Sequence, residues 1–88
     1  MTGTVTVRYF AGAHAARGLA EEQVDLAGLA DPRPTIDTLA GMLADRHGPA
    51  LTRVLAVSSF LLDEVAGGRG RPLHDGAQVD VLPPFAGG

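Results

Sequence analysis

The stretch between Pro34 and Pro49 limits most strongly what this chain can become. Ile36, Leu39, Ala40 and Leu43 recur at i, i+3, i+4 and i+7, which lays one apolar stripe along a helix. Thr35 stands where an N-cap is wanted, Asp37 falls in the first turn, and Arg46 with His47 close the last, each favourable to the helix dipole. Gly48 followed by Pro49 stops the helix. Upstream, Asp31-Pro32-Arg33-Pro34 cannot be helix interior, because each proline removes a donor and forces its predecessor into extended backbone. A single-striped helix needs a surface to cover, and the flanking segments supply one.

Thr4 to Phe10 alternates: Val5, Val7 and Tyr9 share one face, and Thr4, Thr6, Arg8 and Phe10 the other. Glu22 to Leu26 alternates again and suits a short returning strand, while the Ala/Gly-rich run from Ala11 to Leu19 is weakly patterned and reads as a loop with room for a helical turn. After the main helix, residues 50–56 predict a short second helix burying Leu51, Val54 and Leu55. Ser59 to Val65 reads as a strand pair bent around Asp63-Glu64, and residues 66–71 as a flexible loop. His74-Asp75-Gly76 signals a turn into the last strand, Ala77 to Leu82, with Val79 and Val81 on one face and Gln78, Asp80 and Leu82 on the other. This order predicts an α+β fold: a mixed sheet of four to five strands with one main helix packed across one face. The first and last strands are expected side by side and parallel in the middle. Residues 1–82 form the single domain in this reading, and residues 83–88 an extended tail.

Composition narrows the chemistry. The net charge of −3 gives no reason to expect nucleic-acid or membrane-surface binding. No apolar run from the N-terminus is long enough for a signal peptide or a span, so the cytoplasm is the expected location. The chain has no Cys, which excludes disulfides, thiolate metal sites and a cysteine nucleophile. All seven basic residues are Arg, so no side-chain amine can accept an isopeptide bond.

The usual catalytic candidates have plain structural explanations. His14, His47 and His74 are too scattered for metal-ligand spacing and fit a loop, a helix end and a turn, so neither a metal nor another cofactor is expected. Asp63 and Glu64 suit a solvated turn. Ser58-Ser59 lacks a nucleophile-elbow setting, and the loop with Gly67, Gly68 and Gly70 lacks the Lys and following helix of a phosphate loop. The C-terminal end is different. Pro83-Pro84 stiffens the exit from the last strand, Phe85 follows, and the sequence finishes with Gly87-Gly88. Six extended residues reach about 20 Å. Two glycines, lacking Cβ atoms, can thread a channel too narrow for any side chain. Such a tail suits delivery of the Gly88 carboxylate into another protein's active site. With parallel first and last strands, Phe10, Leu82 and Phe85 would gather at the tail's base on the face the helix leaves uncovered, as a docking surface requires.

These residues carry a family resemblance covering nearly the whole chain. It rests on Val7-Arg8-Tyr9-Phe10-Ala11-Gly12-Ala13, Arg46-His47-Gly48-Pro49, Pro72-Leu73 with Asp75-Gly76, and Val79-Asp80-Val81-Leu82-Pro83-Pro84-Phe85-Ala86-Gly87-Gly88. In these the chain resembles the ubiquitin-like β-grasp sulfur carriers, specifically the small-subunit branch of molybdopterin synthase. The Pro-Pro-x-x-Gly-Gly ending fits that branch better than the thiamine-pathway carriers. The resemblance implies a non-catalytic, sulfur-donating subunit. An ATP-dependent adenylating enzyme of the E1-like kind would activate Gly88, and a thiocarboxylate would form there. The tail would then enter the large subunit of molybdopterin synthase and donate sulfur to cyclic pyranopterin monophosphate. Gly88 and Gly87 would be the working residues, and Phe10, Leu82, Pro83, Pro84 and Phe85 would contact partners. The chain departs from the family at the Asp63-Glu64 turn, often Asn-Gly or Asp-Gly in relatives, and in its longer loop at 67–71. A carrier for thiamine, cysteine or another product, a ubiquitin-like modifier joined to lysines, and an interaction domain with an inert tail stay open.

Overall fold

The computed structural model describes residues 2–84. Strands β1 (Thr4–Tyr9), β2 (Glu21–Asp25), β3 (Ser59–Leu62), β4 (Val65–Ala66) and β5 (Gln78–Leu82) form one five-stranded sheet in the order β2-β1-β5-β3-β4. β1 and β5 are parallel neighbours near its centre, with Val7 opposite Val79 and Tyr9 opposite Val81, as the sequence predicts. Every other pairing is antiparallel. Helices α1 (Gly12–Arg17), α2 (Ile36–His47) and α3 (Pro49–Val57), with a 3-10 turn at Leu26–Gly28 that buries Leu26, make up the other elements among the described residues. Val5, Val7, Tyr9, Val24, Phe60, Val79 and Val81 share one core with Ile36, Leu39, Leu43, Leu51 and Leu55, so the helices cover a single face of the sheet.

Helix α2 starts where expected. The Thr35 hydroxyl accepts from the Thr38 N–H and the Thr38 hydroxyl accepts from the Thr35 N–H, each at 3.2 Å, a reciprocal cap. The Thr38 hydroxyl also donates to Asp31 at 2.7 Å, which ties the diproline entry to the first turn. At Gly48 the backbone takes φ +88°, which a side chain would resist, and α3 begins at Pro49.

Two expectations need correction. The run after β1 is not a loop with one turn but the helix α1, capped by Gly18 at φ +84°. Only Ala13 of α1 is buried, so no apolar stripe announces it, and its packing against α3 comes from tertiary contact. The glycine-rich segment after β4 is not loosely held either. The Arg71 guanidinium donates to the carbonyls of Phe60 (3.0 Å), Gly67 (2.8 Å), Gly68 (2.7 Å) and Val65. Arg69 lies over the Phe60 ring, 4.8 Å from its centroid, and its Nε stands 3.3 Å from Asp37 without the alignment of a hydrogen bond. The carbonyls of Arg69 and Arg71 accept from the Asp37 and Ile36 amides, giving the first turn of α2 partners it would otherwise lack.

Candidate functional site

The end of the sheet from which Pro83 departs is built by three strands and two helix ends. β5 runs between β1 and β3, and its last residue, Leu82, pairs with Ser59 of β3. On its other side the register continues past Tyr9–Val81 to bring Phe10 alongside Leu82, and the Phe10 N–H donates to the Val81 carbonyl at 3.2 Å. Ala11 then takes φ +49°, uncommon for a residue with a side chain, and this reverses the chain into α1. Phe10 is 38% exposed, and Leu82 and Pro83 are half-buried. Phe10 and Leu82 are therefore brought together as the alternation predicts, on the face without helices. Pro84 is exposed. Phe85, Gly87 and Gly88, to which the sequence gives a contact and two working positions, lie outside the described residues.

The sequence reading misses two participants. Val57 ends α3 just before Ser59, hence at the same end of the sheet as Leu82, and is 63% exposed. A single valine at the last position of a helix carries no signal of its own; the β3–β5 register reveals its position. The other is the ion pair beneath Phe10. Arg8 donates to both carboxylate oxygens of Asp80, at 2.8 and 3.0 Å. Asp80 is 3% exposed although it points to the helix-free face, because the Arg8 side chain covers it. The hydrogen bond to Asp80 also holds the Arg8 pKa above its ordinary value. The same guanidinium sits 5.3 Å from the Phe10 ring centroid, a cation–π contact that holds the ring over the sheet. The uncovered face thus presents an aromatic ring and an aliphatic side chain on a bidentate, charge-assisted support.

Other polar groups work as braces. The Tyr9 hydroxyl donates to Glu22 at 2.7 Å, and Arg17 donates to both oxygens of the same carboxylate at 2.7 and 3.1 Å, tying α1 to β1 and β2. Burial opposes ionisation of Glu22, yet the bonds from Arg17 and Tyr9 outweigh it and hold its pKa below the ordinary range. Burial, aided by the Arg17 charge, lowers the pKa of His47. Among the described residues, no three His, Cys, Asp or Glu side chains converge to hold a metal ion. No helix of the described residues is long and apolar enough to cross a membrane.

Asp63 and Glu64 occupy the β3–β4 turn at φ +49° and +70°, both left-handed. The tight hairpin requires this, and Asp63 offsets the strain by accepting from the Gln78 N–H at 2.9 Å and bonding His74 Nε2 at 2.7 Å. These bonds, that from Gln78 first, lower the Asp63 pKa from 3.8, while Asp63 raises that of His74 above 6.5. A raised histidine pKa stabilises the fold below the unfolded value and loses that effect as pH rises through the folded one; a lowered carboxylate pKa acts above its unfolded value and is lost in acid. The pair therefore stabilises most between 3.8 and 6.5. Melting curves of the parent chain and His74→Gln should differ most in that window and converge as pH rises beyond it. A gap that widens above neutrality would contradict the pairing.

Comparison with known proteins bears on this geometry. No protein-family model matches the sequence, and no curated protein matches it. Solved structures do. Small archaeal modifier protein 1 from Haloferax volcanii superposes with a TM-score of 0.79 at 24% identity, covering 98% of this chain and 100% of that one. A protein assigned as subunit 1 of molybdopterin converting factor from Pyrococcus furiosus gives 0.79 at 22%, covering 96% and 100%. The complex of subunits 1 and 2 of molybdopterin-converting factor from Helicobacter pylori contains a chain matched at 0.64 and 22%, with 97% and 99% covered. The likeness runs along the full length of these chains, and the fold of this protein is the ubiquitin-like β-grasp.

Proposed function

We propose that this chain is a sulfur carrier, the small subunit of a molybdopterin synthase, and that its working group is the Gly88 carboxylate. The observation that carries this reading is the exit of the chain: an interior strand, paired on both sides, leads from Leu82 beside the exposed Phe10 directly into Pro83-Pro84, with Gly87-Gly88 following in the sequence. A strand held by two neighbours fixes the direction in which the tail leaves, and prolines keep its first residues extended. The resemblance in sequence and the likeness to subunit 1 of molybdopterin converting factor support the same reading.

The chemistry balances without a catalytic group in this chain. A Gly88 carboxylate oxygen attacks the α-phosphorus of ATP on an adenylating enzyme, and pyrophosphate leaves. Hydrosulfide then attacks the acyl carbon, AMP leaves with the loss of a proton, and a thiocarboxylate remains. In the large subunit that sulfur would bond to a carbon of cyclic pyranopterin monophosphate, and water would then cleave the acyl–sulfur bond, leaving sulfur on the acceptor and the Gly88 carboxylate regenerated. Phe10, Leu82, Pro83, Pro84, Phe85 and Val57 would meet the partners, and the exchange would take place in the cytoplasm. The Helicobacter pylori complex of subunits 1 and 2 supports a large-subunit partner. Incubation with the adenylating enzyme, ATP and a sulfur source should produce the mass increase of one oxygen replaced by sulfur, mapped to the C-terminal peptide. Loading there, followed by transfer only to a thiamine or cysteine precursor, would reassign the pathway; no loading would end the carrier reading.

A second reading is favoured by the likeness to small archaeal modifier protein 1: attachment of the Gly88 acyl group to lysines of other proteins. Without any Lys this chain could be attached singly, but could not be extended through its own side chains. A set of discrete higher-mass conjugates in cells would favour it.

A further inference from the structure

The sheet has two edges, and they are built differently. At the β4 edge the strand is two residues long, and the Arg71 guanidinium occupies the carbonyls of Phe60 and Val65, so little backbone is left to pair. The β2 edge is open. Tyr9 N–H donates to Ala20 and Leu26 N–H to Gly3, and the register between them sets Val7 against Glu22 and Val5 against Val24. In an antiparallel ladder this alternation turns the N–H and C=O groups of Glu21, Gln23 and Asp25 away from β1. Those three residues are exposed; the backbone groups of Glu21 and Gln23 and the Asp25 N–H have no partner on this side among the described residues, while Asp25 caps the 3-10 turn Leu26–Gly28 with its carbonyl and its carboxylate. A regular five-residue strand with two full free rungs, at Glu21 and Gln23, and a further free N–H at Asp25 is a template for another strand.

Charge decides what can pair there. Glu21 and Asp25 flank Gln23 on the face away from the helices, and neither belongs to an ion pair among the described residues. Arg8, beside Glu21 in the ladder, is committed to both oxygens of Asp80. A second copy of this chain pairing antiparallel about Gln23 would set Glu21 against the copy's Asp25 twice, and like charges directly opposite are destabilising. A strand with basic side chains at those two positions would meet opposite charges instead, and the net charge of −3 favours its approach. We infer that the β2 edge is a docking strand for an extended peptide segment of a partner protein, with Arg or Lys placed opposite Glu21 and Asp25. This surface is separate from the end of the sheet where the tail departs, and the inference does not depend on the chemistry at Gly88.

The test uses the full chain and a blocked peptide, acetyl-Thr-Arg-Val-Gln-Val-Arg-Thr-amide, followed by NMR. Added peptide should slow amide hydrogen exchange at Glu21, Gln23 and Asp25, and leave Glu22 and Val24, already bonded to β1, unchanged. N-methylation of the peptide's Arg and Gln amides should abolish the effect, because only backbone bonds are removed. Gln23→Pro should do the same from the protein side while the melting temperature stays close to the parent's, since the lost N–H faces away from β1. Glu21→Arg with Asp25→Arg should weaken binding about tenfold or more and create affinity for the Glu-containing counterpart peptide. Equal binding of the N-methylated peptide, perturbation centred on Phe10 and Leu82, or no protection at millimolar peptide would each overturn the inference.

Discussion

Deleting Gly88 is expected to give a protein that melts like the intact chain and is never converted to a thiocarboxylate. The two halves of this result have separate causes. Every buried hydrophobic residue of the described core lies at or before Val81, so a truncation after Gly87 leaves that core's side chains intact. The acyl group would still exist, now on Gly87, but one residue short of the adenylating centre. Displacements of even 1 Å at a reacting atom can cost about 100-fold in rate, and one extended residue spans about 3.3 Å. Mass spectrometry after incubation with the adenylating enzyme, ATP and a sulfur source reads the loading, and calorimetry reads the fold. An informative companion is Phe10→Ala, which keeps the terminus and removes the ring supported by Arg8. It should weaken association with the large subunit while leaving chemical competence of the terminus intact. Thiocarboxylate formation at full yield on the truncated chain would remove Gly88 from its proposed role.

Leu39→Ala should have the largest effect on stability. Leu39 is 1% exposed and sits in the middle of the α2 stripe, within the core shared with the sheet. Truncating a buried leucine costs about 2–5 kcal/mol through lost burial and the cavity left behind. A chain of this length has a total stability on the order of 4–13 kcal/mol, so the substitution removes a large share of it. The melting temperature should fall by roughly 8–40 °C, measured by circular dichroism. Val57→Ser, at a position 63% exposed, should change it by little, since surface changes stay within about 0.5 kcal/mol. Equal melting temperatures for the two variants would mean that α2 is not the element closing the core.

The same contrast explains which parts of the molecule could be read from the chain. α2 was legible because its stripe, cap and stop are all local: Thr35, the Ile36–Leu43 periodicity and Gly48 each act within one or two turns. β1 and β5 were legible because period-two alternation with one buried face leaves a single register for Val5, Val7, Val79 and Val81. The nearness of Phe10 and Leu82 follows from the parallel pairing of those strands. α1 was not legible, since a six-residue segment with one buried side chain is stabilised by α3 and by the Arg17–Glu22–Tyr9 bonds rather than by its own pattern. The segment at 67–71 looked mobile from its glycines, but its order depends on carbonyls as distant in sequence as Phe60 and on the amides that open α2. Asp80 was placed on the uncovered face, and its burial depends on Arg8, 72 residues away.

By itself the sequence determined the elements that carry their own periodicity and stops, the absence of cysteine and lysine chemistry, and the unusual composition of the C-terminal end. Those are properties of neighbours along the chain, and short-range sterics, capping and solvation suffice to decide them. Only the tertiary structure decided what lies around the tail's point of departure: Val57 at the same end of the sheet, Arg8 clasping Asp80 beneath Phe10, and an edge closed by Arg71 opposite one left open at β2. Each of these joins residues far apart in sequence. A guanidinium or a backbone carbonyl has no preferred partner until the sheet has brought one within hydrogen-bond distance.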